Sequence, residues 1–91
     1  MISPVEIFVH PRIMERHPEI SEDDVFSAWV NLIRMEHRSE PNSEHAAAVG
    51  FDKNGRLLEM VAVFDGTGYL VYHAMTPPTK KILTELGLDR R

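Results

Sequence analysis

The alternation of hydrophobic and polar positions divides the chain into seven predicted elements. Val5-Glu6-Ile7-Phe8-Val9 is apolar on both sides of the pleat and reads as a first strand. Pro11 cannot donate to a sheet ladder, so the strand ends before it. The same proline can open a short helix over Arg12 to His17, which Pro18 stops. Ser21 suits an N-cap, and Glu22, Asp23 and Asp24 place negative charge where the helix dipole favours it. Val25, Ala28, Trp29, Leu32 and Ile33 then recur at helical spacing. They predict a main helix from Glu22 to Met35 or slightly beyond, with Trp29 in the core. Glu36 to Ser43, containing Pro41 and Asn42, reads as a loop.

From Glu44 the period changes to that of strands. Ala46 to Phe51 is one run, and Asp52-Lys53-Asn54-Gly55 is a turn in which Gly55 can take positive φ. Arg56 to Phe64 is apolar on both faces, as a central strand should be. Asp65-Gly66-Thr67-Gly68 is a second turn, and Tyr69 to Met75 a further strand. Thr76 is the expected cap of a last helix that opens on Pro77-Pro78, has Ile82, Leu83 and Leu86 on its apolar face, and ends at Gly87 as the C′ residue. The expected order is β-α-α-β-β-β-α. This is an α+β domain in which an antiparallel β-meander packs against helices.

Composition narrows the function classes. The chain has 91 residues, suited to a single domain spanning 1–91. No run approaches the roughly 18 apolar residues of a membrane-spanning helix, and the first ten residues lack the pattern of a signal peptide. With no cysteine, disulfides, cysteine-based zinc sites and cysteine nucleophiles are excluded. A cytoplasmic protein is expected. The net charge of −4 argues against a broad nucleic-acid-binding surface. The basic residues are unevenly spread, however. Lys80, Lys81, Arg90 and Arg91 outnumber Glu85 and Asp89 after residue 76, so a phosphate would be most welcome there.

Three segments carry a family resemblance. His17-Pro18-Glu19-Ile20-Ser21-Glu22-Asp23-Asp24 leads into the main helix. Gly55-Arg56-Leu57-Leu58 opens the second strand of the hairpin, and His73-Ala74-Met75 runs on to the basic Thr79-Lys80-Lys81. In order and spacing the chain resembles the BrnT-type toxins, compact ribonucleases with a RelE-like fold, over roughly residues 6 to 86. The resemblance implies a RelE/BrnT-like domain acting as the toxin of a type II toxin–antitoxin pair. Such a toxin is a metal-independent endoribonuclease that cleaves mRNA and inhibits translation. It is silenced by a cognate DNA-binding antitoxin of ribbon-helix-helix or helix-turn-helix type. No cofactor is implied. The acidic balance keeps a second reading open, a non-catalytic binding module that pairs with a small DNA-binding partner.

Metal-free RNA cleavage needs a base for the 2′-OH proton, a cation for the pentacovalent phosphorane and an acid for the leaving oxygen. Histidine titrates in the right range, and the chain has five: His10, His17, His37, His45 and His73. His73 is the catalytic candidate because a strand would hold it rigidly just before the basic helix. Lys80 and Arg38 complete the catalytic set. Arg12, Arg16, Lys81 and Tyr72 are the candidates for binding RNA and its phosphates. Arg12 and Arg16 stand one helical turn apart, where they could grip a phosphate or pair with Glu15 and Glu19. Arg34, His37 and Arg38 would equally serve the C-terminal dipole of the main helix. If Phe64 pairs with Tyr69, His73 shares a face with Phe64 and Met60; a one-residue slip puts it with Glu59 and Val61. No histidine spacing matches a metal-ligand pattern, and no metal is expected.

Overall fold

The computed structural model describes residues 6–89, so Val5, Arg90 and Arg91 lie outside the described residues. The order is β1 (Glu6–Val9), α1 (Arg12–Arg16), α2 (Glu22–Val30), β2 (Leu32–His37), β3 (His45–Phe51), β4 (Leu57–Phe64), β5 (Gly68–Met75) and α3 (Lys80–Glu85). It forms an α+β domain with a five-stranded sheet in the order β1-β5-β4-β3-β2. Strands β2 to β5 are a continuous antiparallel meander, and β1 adds to β5 in parallel, which makes the sheet mixed. Among the described residues, no helix is long and apolar enough to cross a membrane.

The sheet separates two apolar layers. On one face Ile13 of α1, Ile20, and Val25 and Ala28 of α2 meet Ala48, Leu58, Met60, Ala62, Val71 and Ala74. On the other, Ile82 and Leu86 meet Ala47, Val49 and Val61. β4 feeds both layers, as its two-sided apolar pattern requires. Trp29 lies at the rim, partly buried, with its ring 5.1 Å from that of Tyr69.

The predicted order lacks one strand. The main helix stops at Val30, and the segment expected to continue it is β2. A bulge explains the misleading spacing. Leu32 pairs with Gly50 and Arg34 with Val49, which leaves Ile33 as an extra residue. Leu32 and Met35, three apart, therefore both pack on the α2 layer and imitate a helical stripe. Pairing with β3 outweighs the local helical pattern.

The ends of α2 and α3 follow local rules. Ser21 and Asp24 form a reciprocal capping box at the start of α2. At the end of α3, the Leu88 N–H donates to the Leu83 carbonyl (2.8 Å) and the Gly87 N–H to that of Thr84 (3.0 Å), with Gly87 at φ 72°. The start of α3 differs from expectation. Its cap is Thr79, whose Oγ1 accepts from the Ile82 N–H (3.3 Å), while Thr76 donates to the Leu57 carbonyl (2.6 Å). Helical backbone is disfavoured before a proline, so Thr76 and Pro77 stay outside the helix.

Candidate functional site

β1 covers only the first half of β5. Its register ends at Val9 opposite Val71, and the His10 N–H closes on the Val71 carbonyl at 2.9 Å. The chain then turns into α1, so β5 from Tyr72 onward borders a cleft of about 440 Å³. One wall is α1, with Arg12, Arg16 and His17; another is the start of α3, with Thr79 and Lys81. The floor is Glu59, Val61, Tyr72 and His73, and Arg38 reaches in from the end of β2.

A second bulge sets the floor. Phe64 pairs with Tyr69 and Ala62 with Val71, but Val61 pairs with His73, which leaves Tyr72 as the extra residue. The expectation that a Phe64–Tyr69 pair puts His73 beside Met60 is therefore corrected. The inserted residue turns His73 to the α3 side, alongside Glu59 and Val61.

His73 Nε2–H donates to Glu59 Oε2 at 2.7 Å. Glu59 is only 3% exposed. Its other oxygen accepts from the Thr79 N–H (2.7 Å) and the Thr79 hydroxyl (2.8 Å). Three donors satisfy this buried carboxylate. With Nε2 engaged by the carboxylate, Nδ1 is the ring nitrogen that has no hydrogen-bond partner among the described residues. Thr79 thus joins the helix cap to the histidine's support.

Among the described residues, the cleft collects four Lys or Arg side chains and a single carboxylate, that of Glu59. Arg12, Arg16 and Lys81 form no ion pair with any described residue, and the expected partners Glu15 and Glu19 do not engage the two arginines. Arg38 is engaged. Its Nε and Nη2 donate to the two oxygens of Glu85 at 2.7 and 3.1 Å. That hydrogen-bonded contact raises the Arg38 pKa further, against the opposing effect of burial. The Tyr72 hydroxyl lies 3.0 Å from His45 Nδ1.

Six of the seven residues singled out from sequence thus meet in one cleft. Lys80 is exposed and does not line it; the neighbouring Lys81 does. Sequence reasoning missed the supporting role of Glu59 and Thr79. An isolated glutamate in the most apolar run was the available signal, because a charge there must find partners on folding. Among the described residues, no group of three or more His, Cys, Asp or Glu side chains is arranged to hold a metal ion. Compared with known proteins, the chain matches no family model, no curated protein and no solved structure.

Proposed function

We propose that this protein is a metal-independent endoribonuclease of the RelE/BrnT type, the toxin of a type II toxin–antitoxin pair acting on mRNA in the cytoplasm. The observation that carries the reading is the His73–Glu59 pair on the floor of a cleft that gathers four cations from an acidic chain. Arg12, Arg16 and Lys81 suit a phosphodiester, and His73 Nδ1 suits abstraction of the neighbouring 2′-OH proton. The 2′-oxygen then attacks phosphorus and the bond to the 5′-oxygen breaks. The products are a 2′,3′-cyclic phosphate and a 5′-hydroxyl. Lys81 takes the charge-stabilising role first expected of Lys80. Arg38 joins in only by exchanging Glu85 for phosphate. A DNA-binding antitoxin would silence the protein by covering the cleft.

A second reading has its own support. The Arg38–Glu85 pair occupies one of the three guanidinium groups of the cleft with a carboxylate of the same chain. A non-catalytic module would use Arg12, Arg16 and Lys81 to hold an acidic segment of a small DNA-binding partner.

Expression of the protein alone in bacteria separates the two. The toxin reading expects growth arrest and RNA cleavage that persists in a chelator. Substituting His73→Ala should lower cleavage by about 100-fold or more, the scale of one general base. DNA of the same sequence should stay intact, because it lacks the attacking hydroxyl. A folded protein that leaves growth and RNA untouched and instead captures a small partner would favour the binding module.

A further inference from the structure

Cleavage at phosphorus requires a second proton movement that His73 cannot make in the same step. When the bond to the 5′-oxygen breaks, that oxygen leaves opposite the attacking 2′-oxygen and needs a proton. We infer that His17 is the general acid that supplies it; this rests on the ribonuclease reading of the cleft.

Elimination among the lining groups leads to His17. The arginines do not release protons at physiological pH. The carboxylate of Glu59 is buried and fully taken up by His73 and Thr79. The Tyr72 hydroxyl is paired with His45. The Lys81 ammonium already has the role of stabilising the phosphorane charge. The remaining group is the imidazole of His17, which lines the same cleft from α1 while His73 lines it from β5.

His17 is also well held. It is the C-cap of α1, its N–H donating to the Ile13 carbonyl at 2.8 Å and its carbonyl accepting from Ile20 at 2.9 Å. Ile13 and Ile20, on either side, are both core residues exposed by 1% or less. The ring keeps Nδ1 3.6 Å from the Glu19 carboxylate and leaves Nε2 unpaired among the described residues. Its side chain is 29% exposed, enough to meet a substrate. Arg12 and Arg16 on the same short helix would seat the phosphate in the cleft that both imidazoles line.

The proton balance closes. The imidazolium of His17 loses one proton to the 5′-oxygen, and His73 gains one from the 2′-hydroxyl. In the reverse sense, neutral His17 can activate water on the 2′,3′-cyclic phosphate while protonated His73 returns its proton to the 2′-oxygen. Slow hydrolysis of the cyclic product to a 3′-phosphate is therefore also expected.

Leaving-group dependence tests the assignment. Purified protein is assayed on the full set of RNA dinucleotides and on nucleoside 3′-(4-nitrophenyl phosphate) esters, whose leaving group needs no proton. His17→Ala should lose roughly 100-fold or more on dinucleotides, the scale of one general acid. It should lose little on the esters. His73→Ala should lose activity on both. Equal losses by His17→Ala on both substrates would overturn the acid role while leaving the ribonuclease reading standing. If the wild-type protein cleaves neither substrate, the underlying reading fails and this inference with it. His17→Gln, which keeps the size and polarity of the C-cap, repeats the comparison if the alanine variant does not fold by circular dichroism.

Discussion

Arg56 sits where three segments meet. It donates from Nε to Asp52 (2.8 Å), from Nη2 to Asp24 (3.0 Å) and from Nη1 to the Glu19 carbonyl (3.1 Å), tying the β3–β4 turn to the start of α2. Both carboxylates are buried, at 4% and 5% exposure. Arg56→Ala would leave them without their cation, and a loss of about 3 kcal/mol is expected in urea unfolding. Asparagine at positions 24 and 52 in the same chain should recover much of it. Burial pushes the Asp52 carboxyl up, but hydrogen bonds from the backbone and side chain of Arg56 and from the Asn54 N–H outweigh it, so its pKa lies below the ordinary 3.8. A depressed carboxyl stabilises the fold fully above its unfolded value and loses that contribution as pH falls through the folded one. Acid unfolding should therefore steepen below that ordinary value, and Asp52→Asn should flatten the curve.

At the scale of elements, two bulges decide what the strands present. The Ile33 bulge lets β2 follow α2 with both elements feeding one layer, and the Tyr72 bulge brings His73 to Glu59. Helix docking depends on one small residue. A Cβ on Gly50 would stand 2.0 Å from the Ala28 carbonyl oxygen and 3.0 Å from that of Asn31, so β3 must carry glycine where the end of α2 crosses it. Gly50→Ala should cost about 3 kcal/mol, because backbone rather than a movable side chain is in the way. A lowered thermal midpoint with an unchanged sheet signal in circular dichroism would be the expected outcome. Strands β3, β4 and β5 were legible in the sequence, since continuous apolar runs between glycine turns have few other uses. β2 was not, because a bulge gives a strand the three-residue spacing of a helix.

Over the whole molecule, the net charge of −4 conceals a local reversal. The topology gathers Arg12, Arg16, Arg38 and Lys81 from three distant stretches around one strand edge. Binding to single-stranded RNA should weaken with salt despite the acidic total. Each phosphate contact contributes roughly 0.7 to the slope of log affinity against log salt. Replacing Arg12 and Arg16 with alanine should therefore reduce that slope by about 1.4 in filter-binding titrations. An unchanged slope would mean that the two arginines do not meet phosphate. The candidate site was legible as residue types, because proton transfer and phosphate binding restrict the choice to histidine and cations. Glu59, Thr79 and the replacement of Lys80 by Lys81 were not.

The sequence by itself determined the α+β class, the meander from β3 to β5, the Ser21 cap, the Gly55 turn and the Gly87 helix end. Each depends on neighbours a few residues apart, through hydrophobic period, φ preference and capping hydrogen bonds. Only the tertiary structure decided the parallel seat of β1, the strand after Val30, the face of His73 and the gathering of α1, β5 and α3 around one cleft. Those depend on pairings between segments distant in sequence. A single inserted residue reverses the face of every side chain beyond it, and a local pattern holds no record of the register.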